Sequence, residues 1–192
     1  MGLDMYLGRI NREAVGYINL DLPETKRSKP DLYFKVAPYI NQRGDPAFYQ
    51  WESLFEEVGY WRKANAIHHW FVENVQNGTD DCERYEVSKE KLEELLETAK
   101  EVLGSCVMVS GLVRNGQRFE GGKLADIMEP GKYVLDSSIA EELLPTTSGF
   151  FFGGTDYDEY YVKDIAYTAA TIEKALNETD FDTHTIYYCS SW

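Results

Sequence analysis

A chain of 192 residues, 43% hydrophobic and 14% aromatic, has the length and apolar content to bury a core as one domain spanning residues 1–192, and does not have the composition of a disordered polymer. Its 33 acidic side chains outnumber the 19 basic ones, a formal net charge of -14 that repels phosphate backbones and anionic lipid and so argues against generic nucleic-acid or membrane-surface binding. No apolar run reaches the roughly 18 residues of a membrane span, and the start MGLDMYLGRI lacks both regions of a secretory signal, so a cytoplasmic location is expected.

In chain order, residues 3–10 and 14–22 carry alternating or clustered apolar side chains around an Asn11-Arg12 break and read as two short strands forming a hairpin. Residues 22–50 are rich in Pro, Lys, Asp and Gly and read as loops, with one short strand at residues 32–36. A helix is predicted over residues 54–76, stopped by Asn77-Gly78, a pair that favours left-handed backbone. After the polar loop TDDCERYE, Ser88 is an N-cap for a second helix. There Leu92, Leu95, Leu96, Ala99, Val102 and Leu103 recur at helical spacing up to Gly104.

Residues 106–136 switch to period-two patterning, and the turn pair Asn115-Gly116 predicts a β-hairpin. Ser137 or Ser138 caps a short helix that Pro145 ends, GFFFGG reads as a brief buried strand, and a last helix is expected near residues 158–177. The chain closes on a strand, THTIYYCSSW. Strands at both ends with about three main helices between them, and no βαβ rhythm, predict an α+β domain with a mixed or antiparallel sheet that includes both termini.

Familiar catalytic signatures are absent: no P-loop, GxGxxG, HExxH, GxSxG or EF-hand loop occurs, and Gly121-Gly122-Lys123 is too short to cradle a phosphate. Cys82, Cys106 and Cys189 have no CxxC spacing and read as reduced thiols. His68, His69 and His184 lack ligand spacing, so neither a metal nor another cofactor is expected. Two Asn-x-Thr triplets read as turn or helix-end residues. Asp156, Asp158 and Glu159 crowd the start of the last helix and fit capping better than anion binding there. The late tyrosines fit packing better than base stacking.

The most informative segment is VGYWRKANAIHHWFVENVQ. Wound as a helix, it puts Asn65 and His68 three residues apart on an apolar arc with Trp61, where each polar atom needs a partner or costs about 1–3 kcal/mol. Two readings stand. In one, Asn65 and His68 are satisfied core residues bonded to strand backbone or a Tyr hydroxyl. In the other they floor a cleft, with Trp61 as a stacking face and Arg62 at its rim. Lys63 reads as solvated charge, and Trp70, opposite the arc, needs cover from another element or a second subunit.

The blocks MGLDMYL, EVGYWRKANAIHHWFVENVQ, LLPTTSGFFFGGTDYDEYY and YYCSSW, in this order, resemble a family of small uncharacterised proteins encoded by tailed bacteriophages and prophages. Relative to shorter members, residues 23–50 and 106–136 look like insertions. The resemblance implies a host-cytoplasm context and an accessory role. The expectation is a non-catalytic, homo-oligomeric binder of a small nucleotide-like ligand of host immune signalling, lined by Trp61, Arg62, Asn65, His68, Thr147, Ser148 and Trp192. The alternatives are an acidic inhibitor or DNA mimic that blocks a host protein, and a small hydrolase using His68 as general base.

Overall fold

The computed structural model describes residues 2–15, 20–37, 48–49 and 54–192. The chain is an α+β fold whose elements run β1 (Asp4–Asn11), α1 (Arg12–Val15), β2 (Leu20–Asp21), α2 (Leu22–Ser28), α3 (Pro30–Val36), β3 (Phe48–Tyr49), β4 (Glu56–Arg62), α4 (Asn65–Asn74), β5 (Tyr85–Val87), α5 (Lys89–Ser105), β6 (Met108–Glu120), β7 (Lys123–Val134), α6 (Ser138–Leu143), α7 (Glu159–Glu178) and β8 (His184–Ser191). Its main sheet is antiparallel in the order β4-β1-β8-β5, so the two ends of the chain form the central pair.

Register decides which side chains face the core. Met5 lies opposite Trp61 and Ser190, and Leu7 opposite Gly59 and Tyr188. Directly paired residues share a sheet face, so Met5, Leu7, Trp61, Tyr188, Ile186 and Val87 form one apolar surface. That surface joins Ile67 and Phe71 of α4, Leu92 and Leu95 of α5, and Ile165 and Ile172 of α7 in one buried cluster. Each such side chain contributes about 1.5–3 kcal/mol on burial. At Gly59 an added Cβ would meet Thr171 Cγ2 at 2.6 Å and the Trp61 ring at 2.8 Å, so the missing side chain is what lets α7 lie close on β4.

The caps follow sequence chemistry. Ser88 Oγ accepts from Lys91 N–H at 3.2 Å, and Asp158 Oδ1 accepts from Tyr160 and Tyr161 N–H at 2.8 and 3.1 Å. Asn77 and Gly78 both have positive φ, and Gly78 N–H returns to Val72 O at 2.9 Å, ending the α4 segment.

Several expectations are corrected. Residues 54–76 are not one helix: β4 occupies Glu56–Arg62, Lys63 turns the chain at φ 62°, and α4 starts at Asn65. In the strand, Trp61 faces the core and Tyr60 the opposite side, so Trp61 shares no helical arc with Asn65 and His68. The first hairpin does not form, because β1 pairs β4 and β8 while β2 pairs β3; residues 16–19 lie outside the described residues. Residues 22–36 hold two helices rather than loops and a strand, since Pro30 in the first turn of α3 starts a helix instead of breaking one. The predicted loop over 38–47 lies outside the described residues.

GFFFGG is a turn and not a strand. Phe151 and Gly153 both take positive φ (70° and 96°), which no extended ladder accommodates, and Phe150 and Phe151 are exposed while Phe152 is buried. The second hairpin does form, as β6 and β7, but its turn is Gly121-Gly122; Asn115-Gly116 instead falls where the register shifts between Arg114 and Gln117. Trp70 is buried by its own chain, with its ring edge on Phe71. Among the described residues no helix is long and apolar enough to cross a membrane.

Candidate functional site

The lysine turn after β4 places Asn65 in the first turn of α4, facing the loop of residues 146–154. Its amide Nδ2 donates to Phe152 O at 3.2 Å and Gly154 O at 2.7 Å, and its Oδ1 accepts from Thr147 N–H at 3.0 Å. One buried side chain therefore holds both limbs of the loop. Gly153 reinforces this, for a Cβ there would lie 3.1 Å from Lys63 Cβ.

One helical turn on, His68 is buried with both ring nitrogens engaged: Nδ1 lies 2.8 Å from Tyr188 Oη and Nε2 lies 3.0 Å from Asp80 Oδ2. Burial holds the Tyr188 phenol well above its ordinary pKa, so it stays protonated and donates to Nδ1. His68 Nε2 faces the Asp80 carboxylate, an acceptor, and donates to it. Trp192 Nε1 donates to the other Asp80 oxygen at 3.0 Å.

The loop is a partition between two cavities. On one side is a cleft of about 700 Å³, whose lining includes Arg62, Lys63, Asn65, Arg114, Tyr160 and Asp164. On the other is a cavity of about 370 Å³ lined by His68, His69, Asp80, Thr147, Ser148, Phe150, Phe152 and Trp192 among others. The predicted site residues thus divide: Arg62 and Asn65 meet at the cleft, while His68, Thr147, Ser148 and Trp192 meet at the smaller cavity. Trp61 lines neither. It lies 3% exposed under α7 with Nε1 donating to Thr168 Oγ1 at 2.9 Å, because its strand position turns it into the core. Asn65 and His68 are both satisfied internally, by loop backbone, a Tyr hydroxyl and a carboxylate.

No family model matches this chain, and neither the curated proteins nor the solved structures contain a match. The site is therefore read from its own chemistry.

The cleft also contains Arg114 and Asp164, two charges outside the expected site. Arg114 of β6 donates through Nε to Asp156 Oδ2 at 2.9 Å, anchoring the hairpin beside the loop. Arg62 is only 4.0 Å from Asp4, and Lys63 has no ion pair among the described residues. Asp164 is half-buried on α7, and its carboxylate has no hydrogen-bond or ion-pair partner among the described residues. Desolvation, helped by the Asp158 charge, pushes its carboxyl up to about 6. A signal for it was present: Asp164 lies three residues after Tyr161 and four before Thr168, on the buried arc of α7. A carboxylate on an apolar face, opening into a cleft, is a functional-site pattern. Among the described residues no group of three His, Cys, Asp or Glu side chains is placed to hold a metal ion, and the three cysteines are free thiols.

Proposed function

We propose that the protein is a non-catalytic binder of a small nucleotide-like ligand, held in the 700 Å³ cleft. The observation that carries this reading is the combination of Arg62 and Lys63 with the unpartnered Asp164 carboxylate in one cavity. Cations of this kind take a phosphate, and a carboxylate accepts N–H groups from the edge of a base. The exposed Tyr160 ring offers a stacking face, and the volume falls in the range of small-ligand sites. Asn65 then acts by holding the loop wall, with no free donor for the ligand.

The hydrolase reading loses support because His68 already uses both ring nitrogens and opens on the other cavity. The resemblance to phage-encoded proteins makes a host nucleotide immune signal the ligand class proposed, sequestered in the host cytoplasm. Native mass spectrometry of protein from phage-infected cells tests this. A retained mass of nucleotide size, lost in Arg62→Ala/Lys63→Ala and kept in Trp61→Phe, is the expected result; an unliganded species that also ignores added nucleotides overturns it.

A second reading, an acidic protein that blocks a host protein, draws on the charge of -14 and on exposed apolar side chains of the β6–β7 ribbon. It requires association with a host protein that weakens steeply with salt, with the cleft variants unchanged.

A further inference from the structure

The smaller cavity has no part in the nucleotide reading, and among the described residues its lining carries the Asp80 carboxylate and no Lys or Arg. Two aromatic walls, Phe152 and Trp192, meet at 70° with ring centroids 5.9 Å apart. Asp80 lies between α4 and β8, its side chain 27% exposed, and among the described residues no Lys or Arg lines the space. Its two oxygens are aimed by two ring N–H donors, His68 Nε2 on Oδ2 and Trp192 Nε1 on Oδ1. Each carboxylate oxygen has two lone pairs, so both keep acceptor capacity after those bonds. His68 is fixed in turn by Tyr188, which is wholly buried and cannot move away. The carboxylate is therefore preorganised, accessible and, among the described residues, without a Lys or Arg partner.

Aromatic faces and a fixed carboxylate in one small cavity are the two elements that recognise an organic cation, the rings through their quadrupole and the carboxylate through its charge. A volume of about 370 Å³ admits a compact head group. Phosphate is disfavoured because Asp80 faces it and, among the described residues, no Arg or Lys lines the cavity to offset that charge. The chain's charge of -14 further enriches cations at its surface.

We propose that the cavity bounded by Asp80, Phe152 and Trp192 binds an alkylammonium group, with Asp80 as counter-ion and the two rings as its walls. Titration calorimetry and amide NMR on the full chain, at constant ionic strength, test it with tetramethylammonium, spermidine, a trilysine peptide and the neutral isostere 3,3-dimethyl-1-butanol. Saturable binding of the cations is expected, with shifts confined to residues around Asp80 and Trp192, at least tenfold weaker for the alcohol. Asp80→Asn and Trp192→Leu should each weaken it at least tenfold. Trp192 is half exposed and lies outside the buried cluster, so its variant keeps the fold if Asp80→Asn does not. The tighter of spermidine and trilysine identifies a free polyamine or a protein side chain as the source. No saturable binding by any cation, equal binding of the alcohol, or full affinity in Trp192→Leu overturns the proposal.

Discussion

The backbone N–H of Thr147 donates to Asn65 Oδ1 at 3.0 Å across 82 positions of sequence, and it closes the loop that separates the two cavities. With the bonds to Phe152 O and Gly154 O, Asn65 satisfies three backbone groups at once, one in a buried bond and two in part-buried ones. Asn65→Ala leaves those groups without partners and is expected to cost about 2–3 kcal/mol, at 1–3 kcal/mol for each group that water cannot reach. Asn65→Asp should be nearly as damaging, since a carboxylate cannot donate to two carbonyls. Amide hydrogen exchange reads the effect directly: protection should fall across residues 146–154 first, and unchanged exchange there would count against the loop-clasp role.

Tyr188 is fully buried, and its hydroxyl bonds His68 Nδ1. His68→Ala therefore strands a phenol in the core and should destabilise by about 1–3 kcal/mol beyond the loss of packing. Adding Tyr188→Phe removes the stranded hydroxyl, so the double variant should be less destabilised than the sum of the singles. Denaturant unfolding of the four proteins checks this, and strict additivity would exclude the coupling.

Asp164 has its carboxyl raised to about 6 by burial. A raised carboxyl means the folded chain holds a proton that the unfolded chain has released, between the ordinary carboxylate value near 3.9 and about 6. This group's contribution to stability therefore falls as pH rises through that window. Asp164→Asn should raise the melting temperature at pH 7, with the gain fading below about pH 4 as the native carboxyl becomes neutral. In the cleft, the same variant should weaken ligand binding. Thermal melts from pH 4 to 7.5 decide it; a variant less stable than the parent at pH 7 contradicts the assignment.

Leu112, Phe119, Leu124 and Met128 lie on one face of the β6–β7 ribbon, with Phe119 75% and Leu124 65% exposed. A two-stranded ribbon is marginal alone, and an apolar strip of this kind is an interface pattern. Four cations against three carboxylates leave the ribbon with a small net positive charge on a chain charged -14, which suits docking on a second copy. Leu112→Glu/Phe119→Glu should lower the mass in light scattering to that of one 22.1 kDa chain while changing the melting temperature little. A parent protein that is already monomeric at tens of micromolar removes the homo-oligomer from the proposal.

Local chemistry determined a good part of this molecule. The helices at Lys89–Ser105 and Glu159–Glu178, with their Ser88 and Asp158 caps, the stop at Asn77-Gly78, the hairpin and the terminal strands all follow from patterns within a few residues. So does the α+β class, and so does the need of Asn65 and His68 for partners. Tertiary structure decided the rest. EVGYWR has apolar residues that fit either a helical arc or a strand face, and only pairing with β1 selects the strand and turns Trp61 into the core. Lys63 at positive φ then separates Asn65 from that strand. The partners of Asn65 and His68, Thr147 and Tyr188, lie 82 and 120 residues away, so which cavity each side chain serves is a product of the sheet bringing both ends of the chain to its centre. Sequence periodicity reports which residues must be buried; the long-range register of the sheet reports against what.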